Sequence, residues 1–122
     1  MEYQITAHKG FFELKISGAI DAQKYPSMFD TLFAHKDWVP GMRLLVDESE
    51  LRADHLTIAD LETIAVFCTD RSSDFGSAKL SMYVSRDLEY GLNRMWHVFI
   101  KDGWDAEGNV FRSREEALDW LE

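Results

Sequence analysis

Histidine is the residue type in this sequence that most readily binds metal ions or transfers protons at neutral pH. None of the histidines stands in a His-x-x-x-His or His-x-Glu spacing, and the single cysteine, Cys68, has no Cys-x-x-Cys partner. No local pair can therefore chelate an ion, and we predict no metal site. We interpret His97 as a solvated side chain of a helix. The other histidines are His8, His35 and His55.

Motifs for nucleophilic catalysis and phosphate binding are absent from the sequence. There is no Gly-x-Ser-x-Gly elbow, and Cys68 falls on the apolar stripe of a predicted helix, which is typical of a small core residue. The 7 glycines form neither a dinucleotide-binding nor a Walker pattern. We predict a protein that is not an enzyme and has no cofactor. An unrecognised hydrolase or metal enzyme that uses His55 with Asp47 or Asp54 remains an alternative.

Acidic side chains cluster directly after a predicted buried strand that ends at Asp47. We interpret the polar stretch 48–55 as a solvated loop, because its spacing differs from that of a calcium-binding loop. In open α/β sheets, ligands and partners approach the carboxyl ends of the parallel strands, where this stretch should lie. We therefore predict a partner or ligand edge here. Its candidate residues are Asp47, Glu48, Asp54, His55, Thr57, Ser85 and Arg86.

The predicted helix 87–101 carries more apolar side chains than one core-facing stripe needs. We predict that Trp96 and Ile100 lie on a shoulder outside the core face, and Phe67 lies off the stripe of its own helix. Three interpretations are open for such side chains. They are single surface residues, they are covered by the loop 70–77, or they form an apolar interface or groove. The residues predicted to face the core are Leu88, Leu92, Met95 and Phe99.

Local patterns predict an alternation of strands and helices. Apolar periodicity predicts strands at 3–7, 11–17, 42–46, 80–84 and around 110. Helices are predicted to begin near Tyr25, at the N-cap Thr57, at Asp87 and after the capping residue Ser113. The order β-β-α-β-α-β-α-β-α predicts one α/β domain over residues 1–122. Its mixed sheet should have four or five strands and flanking helices.

Composition restricts the partners of this chain. Its 122 residues, of which 46% are hydrophobic, fit one domain with a buried core. The 13 basic and 22 acidic residues give a charge of -9, which argues against binding to nucleic acid or anionic lipid. One cysteine, no signal peptide and no apolar run of about 20 residues indicate a cytoplasmic protein without membrane insertion.

Three segments carry recognisable structural motifs. Segment 41–47 is a strand that ends in Asp, 90–96 contains a Gly-Leu-x-Arg-Met helix, and 110–121 is a capped last helix after Val-Phe-Arg. With the element order, they resemble the SpoIIAA-like family of small bacterial proteins, distant relatives of the STAS domain of sulfate transporters and anti-sigma-factor antagonists. The resemblance implies a mixed sheet flanked by helices, no established enzymatic activity and a largely uncharacterised role.

The comparison with anti-sigma-factor antagonists raises the question of phosphorylation. Those proteins carry an Asp-Ser-Ser type sequence at the start of the helix after the third strand, and its serine is phosphorylated to switch partner binding. In the matching stretch 54–57, only Thr57 offers a hydroxyl. Thr57 is therefore the phosphorylation candidate, although a capping role accounts for the hydroxyl and the acids Asp54 and Asp60 oppose a phosphate.

Two binding functions are compatible with these observations. The first is a regulatory interaction with a protein partner or with a second copy of the chain, which would form a homodimer. The alternative is a carrier for a small apolar or lipid-like molecule between helices and sheet, because STAS-like folds resemble some lipid-carrier domains in layout. The wide apolar arc of helix 87–101 would then supply part of the lining.

Overall fold

The chain folds into a five-stranded mixed sheet that helices cover on both faces. The computed structural model describes residues 1–100 and 102–122. The strands are β1 (Glu2–His8), β2 (Phe11–Ala19), β3 (Leu44–Arg52), β4 (Lys79–Tyr83) and β5 (Glu107–Phe111). The helices are α1 (Lys24–Phe33), α2 (Ile58–Asp70), α3 (Ser72–Phe75), α4 (Asp87–Ile100) and α5 (Arg114–Leu121). No helix in the described ranges is long and apolar enough to cross a bilayer.

The strands lie in the order β1-β2-β3-β4-β5, and only the β1–β2 hairpin is antiparallel. This arrangement confirms the predicted α/β class, the mixed sheet and the element order. The short helix α3 is an addition, since segment 70–77 was predicted to be a loop. The loop prediction was wrong because the side chain of Phe75 is fully buried in the core and holds this segment against it.

The central strand β3 supplies side chains to both layers of the core. Leu44 and Val46 pack on the side of α1, α2 and α4, where most of the hydrophobic core lies. Leu45, between them in sequence, packs with Ala117 and Leu121 of α5 on the opposite face. This alternation follows from the pleat, which sends successive side chains to opposite faces of the sheet.

The polar stretch 48–55 was wrongly predicted to be a solvated loop. The strand β3 continues through it to Arg52, which pairs with Ala19 of β2. Glu48 and Leu51 within this stretch are buried. Backbone pairing with a distant strand and burial of these two side chains outweigh the polar local composition, which carries no signal of that pairing.

The predicted core face of α4 was also wrong, except at Leu92, which packs against the core. Trp96 and Ile100, which were expected on an exposed shoulder, are buried, whereas Met95 and Phe99 are about two-fifths exposed. The predicted end of this helix, Lys101, lies outside the described residues. The reason for the difference is that the buried face also contains polar residues, which a search for apolar spacing leaves out.

The orientation of α4 in the structure can be tested by measuring the free energy of unfolding of two variants. Replacing Trp96 by Ala removes a side chain that is 9% exposed and should lower the free energy of unfolding by about 3–5 kcal/mol. The matched variant Phe99→Ala, on the same helix but 40% exposed, should lose clearly less. Equilibrium unfolding in urea measures both, and equal losses would contradict the assigned orientation of α4.

Candidate functional site

A small cavity lies between the sheet and the helices α1, α2 and α4. Its volume is about 50 Å³, which is room for a few water-sized molecules. Most of the lining is apolar. The side chains include Val46, Leu61, Ile64, Leu80, Met82 and Leu92. A largely apolar, concave site of this kind is the usual form of a small-molecule pocket in proteins.

One end of the cavity is polar and is centred on Glu48, which is only 4% exposed. The Tyr25 hydroxyl of α1 donates a hydrogen bond of 2.8 Å to Glu48 Oε2. The Asn93 amide of α4 donates one of 2.9 Å to Glu48 Oε1. Three elements that are distant in sequence therefore converge on one carboxyl group. All three side chains line the cavity.

The pairing of β2 with β3 is irregular near Glu48, and this irregularity changes which face of the sheet the following side chains of β3 point to. Lys15 of β2 pairs with Asp47, but Ser17 pairs with Glu50, so β3 contains one extra residue between the two pairs. Such a β-bulge shifts the alternation of side chains along the strand. As a result, Glu48 within the irregular stretch and Leu51 after it both line the cavity, although they are three residues apart.

Burial changes the protonation chemistry of the lining. Loss of solvation raises the pKa of Glu48, against the opposing effect of its bonds from Asn93 and Tyr25. Burial likewise raises the pKa of the Tyr25 hydroxyl well above its usual value. It raises the pKa of Cys68 to about 12, which keeps this thiol protonated and unreactive as a nucleophile.

A second buried carboxyl group on the cavity wall, Glu89, has a charged partner. Arg86 Nε donates a hydrogen bond of 2.8 Å to it, and the Ala53 backbone N–H donates one of 3.0 Å. Burial alone would raise the pKa of Glu89, but these donors outweigh it and lower the pKa. Arg86 also forms an ion pair with the exposed Asp54 at 3.2 Å. This network ties the start of α4 to the segment after β3.

The structure thus brings together only part of the predicted edge. Glu48 lies in the cavity, while Asp54 and Arg86 join through Glu89 beside it. Ser85 is exposed, and its hydroxyl donates to the Ser49 carbonyl at 2.6 Å. Ser85 and Arg86 line a shallow groove at the carboxyl ends of the strands.

Asp47 points to the other face of the sheet. Its Oδ1 accepts hydrogen bonds from Ser49, and its Oδ2 lies 3.5 Å from Arg114 of α5. Arg114 donates a bidentate pair of hydrogen bonds to the Glu13 carboxylate, each of 3.0 Å. Asp47 therefore joins β3 to the α5 layer and is separated from the cavity by the sheet itself.

His55 and Thr57 are exposed at the start of α2. The predicted cap is confirmed, since Thr57 Oγ1 accepts from the Asp60 N–H at 3.0 Å and Asp60 accepts from the Thr57 N–H. In the part of the chain that the structure describes, His55 forms no hydrogen bond with Asp47 or Asp54. Phosphorylation of Thr57 remains a prediction.

The three candidate apolar residues have different environments. Trp96 lines the cavity, and Ile100 is buried in the same core. Phe67 is half-buried, with the Arg71 guanidinium 5.4 Å from the centre of its ring. These residues therefore do not form one exposed surface. Only Trp96 contributes to the cavity.

Sequence reasoning missed Tyr25, Glu89 and Asn93 as site residues. A signal for two of them existed, because Glu89, Asn93, Trp96 and Ile100 recur at helical spacing along α4. Tyr25 was predicted only as the residue near which a helix begins. Among the described residues, no three His, Cys, Asp or Glu side chains are grouped so that they could hold a metal ion.

Comparison with known proteins shows a likeness in fold. No family model and no curated protein matches the sequence. The chain is similar to the crystal structure of an uncharacterised protein of the DUF3478 family, with a SpoIIAA-like fold, from Shewanella loihica PV-4. The two share 17% sequence identity with a TM-score of 0.62, over 99% of this chain and 93% of the other. At that identity, the likeness shows the fold.

We expect the buried carboxyl group of Glu48 to make stability depend on pH. Because its pKa is raised on folding, the native state holds this proton more tightly than the unfolded state, and wild-type stability falls as the pH rises through the folded pKa. Glu48→Gln lacks this loss. Urea unfolding at about pH 4 and about pH 8 should therefore show the variant gaining stability relative to wild type at the higher pH. A stability difference between Glu48→Gln and wild type that stays the same at both pH values would contradict the assignment. Glu115→Gln, which removes an exposed carboxyl group, is the control.

Proposed function

We propose that this chain, with its SpoIIAA-like fold, binds a small and mostly apolar molecule in the cavity between sheet and helices, and that it does so without catalysing a reaction. The observation that supports this most strongly is the cavity itself, which is apolar along its walls and polar at one end. A pocket of that kind binds an apolar body by desolvation and orients it by a few polar contacts.

The polar end of the cavity supports the binding proposal, because its side chains come from three elements that are distant in sequence. Tyr25, Glu48 and Asn93 come from α1, β3 and α4, and they meet although each costs free energy to desolvate. Their hydrogen bonds leave lone pairs of Glu48 unused. A ligand with one polar group at its end would use that remaining capacity.

The size of the cavity limits the ligand. About 50 Å³ suits a compact molecule or the end of a longer one in the described conformation. The probe of choice is therefore a short aliphatic chain with one polar end, such as 1-butanol. Its aliphatic chain matches the apolar wall, and its hydroxyl group matches the polar end.

We expect 1-butanol to bind and a cavity-filling variant to weaken it. Leu92→Phe adds volume to the lining, whereas Val98→Phe adds it on the exposed side of the same helix, where Val98 is 64% exposed. Titration followed by methyl NMR should shift the Met82 and Ile64 signals in wild type and Val98→Phe. The shifts should be reduced at least several-fold in Leu92→Phe. Absence of cavity shifts in wild type would overturn the proposed function.

A second candidate function is supported by the outer surface of α2 and α4. Val66 is 60% exposed and Phe99 is 40% exposed, and both line one shallow groove between the two helices. The acidic side chains of Glu62 and Asp70 also line this groove. Apolar side chains grouped on a surface and bordered by polar ones are typical of interaction surfaces. We infer that the occupant is a second copy, because a two-fold axis lets one apolar patch meet itself. A regulatory protein partner would use the same surface.

We expect self-association to depend on this surface. Size-exclusion chromatography with light scattering should give a dimer mass for wild type and a monomer mass for Phe99→Glu, since a charge in the contact opposes desolvation. Val39→Glu is the control, because Val39 is 59% exposed and lies outside the groove. A wild-type monomer at every concentration would rule out the self-association.

A further inference from the structure

Resting on the proposed cavity-binding function, we propose that the ligand is a small monoamine whose protonated amino group is bound by Glu48. The class is an aliphatic ammonium ion with a short apolar body. The proposal depends on the balance of charge and of hydrogen bonds at the polar end of the cavity, and on the mostly apolar side chains along the rest of its wall.

The charge balance sets Glu48 apart from Glu89. Both carboxyl groups are buried on the cavity wall, but Glu89 is paired with Arg86, while Glu48 has only neutral donors. Of the described residues that line the cavity, none is Lys, Arg or His. A buried carboxylate without a cation is costly, and a bound ammonium ion supplies the missing charge.

The hydrogen bonds at Glu48 leave room for such a group. Each carboxylate oxygen accepts one bond, from Tyr25 or from Asn93, although the two oxygens together offer about four acceptor positions. An ammonium group has three N–H donors and no acceptor. It can therefore donate to the unused positions of Glu48 and to the hydroxyl oxygen of Tyr25.

The same geometry excludes related ligands. An amino acid would bring its own carboxylate toward Glu48 and Glu89, which repel it. A diamine would place its second charge among apolar side chains such as Leu61, Ile64 and Met82, which have no strong hydrogen-bond acceptor to offer it. An alcohol can use the hydrogen bonds but supplies no charge. The site thus favours one positive charge on an apolar chain.

The test compares three probes with the same four-carbon body: n-butylamine, 1-butanol and butyrate. Methyl NMR titrations at neutral pH measure their affinities for wild type, Glu48→Gln and the distant control Glu115→Gln. We expect wild type to bind the amine about tenfold or more tightly than the alcohol and to reject butyrate, because hydrogen bonds between charged partners are the stronger ones. Glu48→Gln should lose this preference but keep binding 1-butanol, and Glu115→Gln should keep both.

The outcomes separate this inference from the proposed function. Equal affinities of wild type for amine and alcohol would overturn the amine assignment and leave cavity binding intact. A preference for the amine that survives in Glu48→Gln would also overturn it. Cavity binding by none of the three probes would overturn both proposals. If Glu48→Gln does not fold, the comparison of three probes in wild type still decides the ligand class.

Discussion

The central strand β3 must satisfy two layers of the protein at once. Both of its neighbours are parallel strands, and helices cover both faces, so its side chains from Leu44 to Glu48 are buried in either direction. Polar side chains of a strand in this position are stable only with defined partners. Asp47 finds them toward α5, in Ser49 and Arg114. Glu48 finds them in the other layer, in Tyr25 and Asn93.

The carboxyl groups around the cavity are stabilised in different ways, and the difference separates structure from function. Glu89 is held by Arg86 and by the Ala53 backbone, which closes the segment between β3 and α2 onto α4. That network stabilises the fold and leaves little capacity for a ligand. Glu48 is held by neutral groups alone, so its burial is only partly compensated. A buried carboxyl group whose donors are all neutral is a natural binding site for a charged group of a ligand.

The features that the sequence predicted correctly are local ones. The β1–β2 hairpin follows from alternation within a few residues, and the caps at Thr57 and Ser113 follow from side chains that bond the next turn of their own helices. Strand order also predicted that Arg86 and Asp54 lie near each other beyond the strand ends, and the two form an ion pair. That this edge binds a partner or ligand stays a prediction. These features depend on neighbours that are close in sequence or on a general rule of sheet topology.

The features that were missed depend on distant partners. Glu48 looked solvated because its stretch is acidic, and its burial requires pairing of β3 with Ser17–Ala19 and contacts from two helices. Phe75 looked like part of a loop because its four-residue helix is too short for a periodic signal. In each case the tertiary contact decides the structure, and the local sequence does not record it.

Two sets of residues on α4 could face the core, and they correspond to two rotations of the helix about its axis. Leu88, Leu92, Met95 and Phe99 differ from Glu89, Asn93, Trp96 and Ile100 by one residue, which is a rotation of about 100° about the helix axis. Hydrophobicity alone favours the first stripe toward the core. The bonds from Asn93 to Glu48 and from Ala53 to Glu89 form only with the second. The polar contacts therefore select one rotation of the helix about its axis. That rotation leaves Leu88, Met95 and Phe99 exposed, while Leu92 lines the cavity.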